Sequence, residues 1–255
     1  MVEWCLYSLS RENEVVPMNV PELTLYVTSK CNLFCEGCIM SDFMSANAGY
    51  EMALEELDKF IQVTQESRYL LNIIICGGEP LLWKHLQEGV KRVAESKIAN
   101  RILLFTNAVN IRNVNNELME HLSQIRISKY SKNAKNTDEL CTRYPDKIRV
   151  VDRLKFYRQP DMPLHNVLPC ECVNLEHLYM KEKIYACAHG CSRNGGHDEL
   201  EDGTKLYAPL EIGYLNHMDR IRNETEELCR KCSSNLKVRK VVEKYKKADQ
   251  YRIKL

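Results

Sequence analysis

Three closely spaced cysteines are the residues best suited to chemistry in this chain. Cys31, Cys35 and Cys38 follow a short apolar segment with the spacing C-x3-C-x2-C. Three thiolates on one loop can hold three irons of a four-iron, four-sulfur cluster and leave the fourth iron without a protein ligand. An open iron can bind a substrate or cofactor, as a catalytic zinc ion does when one coordination position stays free. The spacing therefore predicts a reactive cluster.

A second motif contains two adjacent glycines. The run Gly77-Gly78-Glu79-Pro80 directly follows an apolar segment that ends at Cys76. Because glycine has no side chain, the backbone can approach a small ligand closely at these positions. The Glu79 carboxylate could accept a hydrogen bond from an ammonium group. This motif predicts a small-molecule contact at the end of a strand.

The order of the two motifs resembles that of the radical S-adenosylmethionine (radical SAM) superfamily. The resemblance implies that Cys31, Cys35 and Cys38 bind the cluster, and that the free iron chelates the amino and carboxylate groups of S-adenosylmethionine. It also implies that one electron from the reduced cluster cleaves the cofactor into methionine and a deoxyadenosyl radical. Such a radical abstracts hydrogen from a substrate, while the protein supplies orientation.

The same resemblance implies further cofactor contacts. Gly37 stands where the family often has a bulky residue whose backbone meets the adenine, so only a backbone contact is expected there. Thr106, Asn107 and Ser128 occupy places where relatives contact ribose and carboxylate, although capping of strand ends also explains such residues. The implied cofactor-binding residues are Gly37, Gly77, Gly78, Glu79, Thr106, Asn107 and Ser128. The sequence identifies no catalytic acid or base.

A second group of cysteines follows residue 157. Four thiolates from three segments are enough to saturate a second four-iron cluster or a zinc ion. Spacing does not separate Cys170 from Cys172 as the first ligand, and Cys191 could replace either if its loop folds back. The candidate ligands are Cys170 or Cys172, Cys187, Cys229 and Cys232.

The segment between these cysteines is predicted to form a hairpin that turns at residues 181–183. A hairpin with a later C-x2-C pair resembles the twitch domain, the short form of the SPASM extension, which holds one auxiliary four-iron cluster. Glu182 departs from that pattern, because the family usually has glycine in this turn. The resemblance favours an auxiliary cluster, with a structural zinc ion and unligated thiols as the alternatives.

Strands and helices alternate along the first 154 residues. Residues 71–75 form a continuous apolar run, which is typical of a strand covered on both faces. The alternation predicts an α/β fold with a parallel sheet, here a partial TIM-like barrel. The predicted strands are Glu22–Thr28, Tyr69–Cys76, Ile102–Asn107, Ile125–Tyr130 and Ile148–Leu154, and the predicted helices are Met52–Ser67, Pro80–Ser96, Val114–Ser123 and Thr137–Tyr144.

The alternation ends near residue 157, and prolines and cysteines follow. We therefore predict a barrel core over residues 1–157 and a small cysteine-rich auxiliary domain over residues 158–255. A basic helix over residues 235–254 is expected to dock on the core through the valines along one side.

Composition excludes several classes of protein. The 255 residues carry a formal net charge of +1, from 36 basic and 35 acidic side chains, which predicts neither a nucleic acid nor a membrane partner. Twelve cysteines are too few for a disulfide-packed secreted scaffold, and residues Met1 to Arg11 lack the basic start followed by an apolar stretch that a signal sequence has. We expect a cytoplasmic protein with reduced thiols, in which Cys5, Cys76 and Cys141 are small buried apolar side chains.

These predictions together favour an enzyme. A fully ligated auxiliary cluster would pass electrons rather than bind substrate, and the chain resembles radical SAM dehydrogenases of aminocyclitol alcohols. The leading prediction is oxidation or epimerisation of a small sugar or aminocyclitol-like molecule, with flavodoxin or ferredoxin as reductant. Modification of a ribosomal peptide or a protein side chain is the alternative, whereas a zinc-stabilised module or an electron carrier leaves GGEP unexplained. Lys129, Tyr130 and Arg153 at strand ends could form structural pairs or contact substrate.

Overall fold

The computed structural model describes residues 20–33, 35, 38, 40–152, 155–157, 176–186, 197–200, 203–218, 220–221 and 252–254. Ten strands are found within these ranges. They are β1 (Glu22–Tyr26), β2 (Leu71–Cys76), β3 (Ala99–Thr106), β4 (Gln124–Lys129), β5 (Ile148–Asp152), β6 (Lys155–Tyr157), β7 (Glu176–Met180), β8 (Lys183–Tyr185), β9 (Tyr207–Pro209) and β10 (Arg252–Lys254).

The helices lie mainly between the parallel strands. They are α1 (Ser41–Ala46), α2 (Leu54–Glu66), α3 (Leu86–Glu95), α4 (Asn116–His121) and α5 (Ala134–Arg143), with short 3₁₀ turns at Pro80–Leu82, Ser131–Asn133 and Tyr214–His217. The longest, α2, has 13 residues. Within the described ranges, no helix has both the length and the apolar character needed to cross a bilayer.

Eight of the strands form one mixed sheet with the order β5-β4-β3-β2-β1-β7-β8-β9. Strands β1 to β5 pair in parallel, and β7 also pairs in parallel with β1. The prediction of a parallel α/β sheet is therefore confirmed. Strands β8 and β9 are antiparallel additions, so β7, β8 and β9, which follow residue 157, extend the sheet formed by the first part. The division into two domains at that point stays a prediction.

The two faces of the sheet have different surroundings. Alternate residues of the central strands, such as Leu23 and Ile73, pack with the helices in the main core and are fully buried. Burial of one such side chain stabilises the fold by about 1.5–3 kcal/mol. The opposite face, which we call the inner face, carries Tyr26, Ile74 and Phe105. Phe43 of α1 packs on this face next to β1, together with inner-face residues of the neighbouring strands β7 and β8.

The hairpin predicted after residue 177 is confirmed, because β7 and β8 pair in antiparallel register around residues 181–182. Lys181 and Glu182 both have positive φ values, 51° and 58°, as a two-residue primed turn requires. Glycine would adopt this conformation without strain. Here contacts between the turn and α2 offset the strain that Lys181 and Glu182 introduce. Glu56 Oε1 accepts the Lys181 N–H at 2.6 Å, and Lys59 Nζ lies 2.5 Å from Glu182 Oε2.

The structure corrects the predicted helix Pro80–Ser96, because helix α3 begins only at Leu86. A 3₁₀ turn covers Pro80–Leu82, and Trp83 is extended with φ −69° and ψ 119°. The buried Trp83 indole explains the break, since its Nε1–H donates to the Met52 carbonyl at 2.8 Å. Its ring also occupies the space where a Cβ on Gly89 would lie, 2.3 Å away.

Two further expectations differ from the structure. Helix α1 lies after the three cysteines, between the predicted strand Glu22–Thr28 and the predicted helix Met52–Ser67, where no helix was predicted. The last residues of the predicted helix 235–254 instead form strand β10, which pairs antiparallel with β6. In this pairing Ile253 lies opposite Phe156. The remainder of that predicted helix lies outside the described residues.

Candidate functional site

The sequence motifs meet at one edge of the sheet, where β1 to β4 reach their carboxyl ends. The cysteine loop follows β1, and the glycine motif follows β2. Thr106 ends β3, and Ser128 lies one residue before the end of β4. Parallel strands end at the same edge, and this edge is where α/β proteins usually bind ligands.

Gly77 and Gly78 hold the cysteine loop against the end of β2. A Cβ on Gly77 would lie 2.4 Å from the Thr28 carbonyl oxygen, and one on Gly78 would lie 2.5 Å from that of Lys30. The Gly78 N–H donates to the Thr28 carbonyl at 2.7 Å, and the Glu79 N–H donates to that of Lys30 at 2.8 Å. Only glycine permits this approach, so both residues position the segment that leads directly into Cys31.

The Glu79 side chain is 1 % exposed and accepts three hydrogen bonds from the protein. Its Oε1 accepts from the Thr106 hydroxyl at 2.6 Å and from the Leu81 N–H at 3.0 Å. Its Oε2 accepts from the Asn107 N–H at 2.7 Å. Burial raises the pKa of this carboxyl, whereas the three hydrogen bonds oppose that shift. Glu79 therefore joins the ends of β2 and β3.

Asn107 extends the network from Glu79 to the cysteine loop. Its side-chain Nδ2 donates to Asn32 Oδ1 at 2.8 Å and lies 3.9 Å from Cys31 Sγ. Its Oδ1 accepts the Val109 N–H at 2.9 Å. The Thr106 hydroxyl also accepts the Ala108 N–H at 2.9 Å. Thr106 and Asn107 thus position the site from the end of β3, and their predicted contacts with cofactor stay a prediction.

Asn133 is a structural residue of the site that the sequence did not reveal. Its side chain is 1 % exposed, and its Nδ2 donates to the carbonyl oxygens of Asn107 and, at 2.8 Å, Ser128. Its Oδ1 accepts the Tyr130 N–H at 2.7 Å. The asparagine therefore connects the ends of β3 and β4. Its position in a turn just after a strand was the available signal, because asparagine side chains often bond to nearby backbone there.

The three cysteines of the first motif lie on one loop and are partly buried. Burial raises the pKa of the Cys31 and Cys35 thiols, and the charge of Cys38 raises both further. A hydrogen bond from the Tyr130 side chain opposes that shift at Cys35. The thiols are therefore close enough to interact electrostatically. Over the residues that the structure describes, no three His, Cys, Asp or Glu side chains converge on a single metal-ion position.

Tyr26 provides a test of whether the site suits an iron–sulfur cluster. Its side chain is 1 % exposed, and its hydroxyl makes no hydrogen bond to any residue that the structure describes. Burial raises its pKa, and the charges of Cys76, Cys38 and Cys31 raise it further. Thiolates are the usual ligands of iron–sulfur clusters, and an unpaired buried donor beside them suits a group with sulfur acceptors. The residues present therefore fit the implied cluster.

Other predicted site residues have varied outcomes. Lys129 Nζ lies 2.8 Å from Asp138 Oδ1, which makes it a structural pair, and Arg153 lies outside the described residues. Cys76 and Cys141 are only partly buried, which corrects the expectation of fully buried thiols. Seven cofactor or metal candidates lie outside the described residues, namely Gly37, Cys170, Cys172, Cys187, Cys191, Cys229 and Cys232.

Sequence comparisons connect this geometry with characterised proteins. The model of the radical SAM superfamily matches residues 25–158, which is more than half of the chain. A probable GTP 3′,8-cyclase of Methanocaldococcus jannaschii is 30% identical over 137 residues, which cover 53% of this chain and 45% of that protein. The GTP 3′,8-cyclase of Mycobacterium marinum is 29% identical over 91 residues, covering 35% of this chain and 25% of that protein. The matches thus span less than half the length of these relatives.

Solved structures show the same fold. The structure of BtrN in complex with AdoMet and 2-DOIA has a TM-score of 0.61 and 14% identity, and the match covers 83% of this chain and 88% of BtrN. BtrN in an open conformation has a TM-score of 0.52 and 13% identity, covering 84% and 88%. The family implies S-adenosylmethionine and a four-iron, four-sulfur cluster as cofactors. From its family match and its fold, this chain belongs to the radical SAM superfamily.

Proposed function

We propose that this radical SAM enzyme abstracts hydrogen from a small sugar or aminocyclitol-like molecule and completes an oxidation or epimerisation with an auxiliary cluster. The observation that carries the proposal is the glycine contact, which holds the segment before Cys31 against the end of β2. A loop fixed in this way keeps the Cys31 thiol close to Glu79 and Asn107. Rigid support of this kind is what a ligand site for a reactive cofactor requires.

The chain's own residues have distinct roles in this proposal. When bound, the cluster and S-adenosylmethionine supply one-electron cleavage of a carbon–sulfur bond and a deoxyadenosyl radical that removes hydrogen from the substrate. Cys31, Cys35 and Cys38 hold the cluster. Gly77, Gly78 and Glu79 line the position of the cofactor's amino group, with Gly37, Thr106, Asn107 and Ser128 as the remaining cofactor contacts.

The inner face of the sheet supports a polar substrate. Besides Phe105 it carries polar side chains on neighbouring strands, including Thr24, Gln124 and Arg126. The Arg126 guanidinium carbon lies 4.6 Å from the centre of the Phe105 ring. Hydroxyl, amide and guanidinium groups suit a substrate rich in hydroxyl or amino groups. The likeness to the fold of BtrN, which was solved with 2-DOIA, supports the same substrate class.

The hairpin supports an auxiliary cluster. Strands β7 and β8 form the hairpin expected of a twitch domain, and they lead directly to Cys187. We assign the ligands of this second cluster to Cys170 or Cys172, Cys187, Cys229 and Cys232. Four thiolates leave no iron open, so this cluster would accept an electron from the substrate radical during oxidation.

Anaerobic reconstitution tests the proposal. The wild type is expected to hold about eight irons and eight sulfides per chain, as two four-iron clusters require. With a flavodoxin or ferredoxin reductant it should cleave S-adenosylmethionine to deoxyadenosine, and the variant with Cys31, Cys35 and Cys38 all changed to alanine should not. Zinc without sulfide in the wild type would overturn the proposal.

A substrate screen tests the substrate class. Deuterated sugars and aminocyclitols are offered to the wild type, and deuterium is measured in the deoxyadenosine product. Transfer from one of these compounds supports the proposal. Transfer only from peptides, or only from GTP as the names of the cyclase relatives suggest, would replace the proposed substrate class.

A further inference from the structure

Tyr26 lies on the inner face at the end of β1, beside the cysteine loop. Its register partner in the parallel pairing is Cys76 at the end of β2. Its ring packs edge-on against Phe43 with a centroid distance of 5.1 Å, and stacks with Tyr50 at 6.3 Å. These rings fix the direction of the Tyr26 side chain, so its hydroxyl cannot turn toward solvent.

Within the described part of the chain the Tyr26 hydroxyl has no hydrogen-bond partner, unlike the hydroxyls of the partly buried Tyr50 and the buried Tyr179. Tyr50 donates to Glu56 Oε1 at 2.8 Å, and Tyr179 donates to the Glu56 carbonyl at 3.1 Å. Among the residues that the structure describes, Tyr26 is the tyrosine whose buried hydroxyl oxygen makes no hydrogen bond. A buried hydroxyl without a partner is costly, and native proteins usually give such a group an acceptor.

The charged groups that act on this hydroxyl are thiols. Cys31, Cys38 and Cys76 are close enough for their charges to act on it. Two of these cysteines are assigned to the cluster, and the third ends the neighbouring strand. Thiolate and sulfide sulfurs of an iron–sulfur cluster are electron-rich acceptors, and hydrogen bonds to them are among the factors that set reduction potential.

We infer that the Tyr26 hydroxyl donates a hydrogen bond to a sulfur of the cluster held by Cys31, Cys35 and Cys38, and that this bond raises the cluster's reduction potential. The inference rests on the cluster assignment of the proposed function. A donor stabilises the reduced cluster more than the oxidised one, because reduction adds negative charge to the sulfurs. Tyr26 is therefore a positioning and tuning residue rather than a catalytic one.

The test compares Tyr26→Phe with wild type after anaerobic reconstitution. The reduced cluster that responds to S-adenosylmethionine is followed by EPR in a redox titration. Loss of the bond should shift the ratio of reduced to oxidised cluster about tenfold toward the oxidised form at a given potential, which is 59 mV for a one-electron couple. Tyr50→Phe is the matched control, because it removes a neighbouring hydroxyl that is paired with Glu56, and it should leave the potential unchanged.

Unfolding of the apoprotein gives a second readout. Because the hydroxyl has no partner without the cluster, Tyr26→Phe should leave the urea midpoint of the apoprotein unchanged or higher, whereas Tyr50→Phe should lower it. If the phenylalanine variant does not fold, 4-fluorophenylalanine at position 26 keeps the ring and its length without a donor. Either replacement should give the same shift in potential.

The outcomes separate this inference from the proposed function. A cluster that responds to S-adenosylmethionine but has the same potential in wild type and both Tyr26 replacements would overturn the inference alone. A wild type that binds no iron and sulfide would overturn the proposed function and, with it, the inference. A lower potential in the Tyr26 replacements, with Tyr50→Phe unchanged, supports the inference.

Discussion

Replacement of Gly78 by alanine tests the contact that positions the cysteine loop. A Cβ at this position would lie 2.5 Å from the Lys30 carbonyl oxygen and 2.9 Å from that of Ser29. Both contacts are to backbone, so no side chain can rotate away. Ordinary contact begins at 3.4 Å, so the loop must move by about 0.9 Å.

The magnitude follows from the two hydrogen bonds at the same place. The bonds from the Gly78 and Glu79 N–H groups are 2.7 and 2.8 Å long, and that shift would lengthen them to roughly 3.6 Å, past hydrogen-bonding range. Their loss costs about 0.5–1.5 kcal/mol each, and forcing a methyl group into packed backbone costs about 1–3 kcal/mol. We expect Gly78→Ala to destabilise the apoprotein by about 2–6 kcal/mol.

The assay measures both stability and cluster loading. Urea unfolding of the apoprotein gives the free energy of unfolding, and iron, sulfide and EPR measurements after reconstitution give the amount of cluster that responds to S-adenosylmethionine. Gly203→Ala is the control, because Gly203 has φ +83° and no atom within 4 Å of an added Cβ. It should cost about 1–2 kcal/mol of backbone strain and leave loading unchanged.

If Gly78→Ala unfolds at the wild-type urea concentration and takes up a full cluster, the close contact does not position the loop. If Gly78→Ala and Gly203→Ala lose cluster equally, loading follows general stability rather than loop position. Selective loss of cluster in Gly78→Ala, beyond its loss of stability, is the expected result.

Three further predictions concern the sheet, the hairpin and the auxiliary cluster. Burial raises the pKa of Glu56, so the free energy of unfolding of the apoprotein should fall as pH rises from about 4.3 through the native pKa. Glu56→Gln should flatten that pH dependence in urea unfolding, and an unchanged slope would contradict this prediction. Asn133→Asp places a carboxylate against two carbonyl oxygens and should destabilise the protein by about 3 kcal/mol, measured by thermal or urea unfolding. An unchanged unfolding midpoint would refute the connection between β3 and β4 through Asn133. Changing Cys229 and Cys232 to alanine should lower iron to about four per chain and block product while cofactor cleavage continues; full product would remove the electron-relay role.

The sequence predicted features that depend on residues close to each other along the chain. The cysteine spacing, the glycine motif and the hairpin at residues 181–182 are local signals, and the alternation of strands and helices indicated the parallel sheet. The structure adds a reason for the two glycines that the motif alone did not give. Gly77 and Gly78 contact the backbone of Thr28 and Lys30, and these two segments lie side by side only because β1 pairs with β2.

Features that depend on tertiary contact could not be predicted in this way. The helix break at Trp83 depends on an indole bond to Met52, which overrides the helical period. The alternation along β1 places Tyr26 on a sheet face, but only the packed structure shows that its hydroxyl has no acceptor. The hydrogen bonds that Thr106 and Asn107 donate to the Glu79 carboxylate likewise depend on the position of β3 beside β2.

The central claim is that the cluster on the first cysteine loop has an iron open to S-adenosylmethionine. The most direct measurement is the EPR or Mössbauer spectrum of the reconstituted protein before and after this cofactor is added. We expect a changed signal from one cluster in the wild type, and no such signal in the variant with Cys31, Cys35 and Cys38 replaced by alanine. A wild-type spectrum that stays the same on addition of the cofactor would contradict the claim.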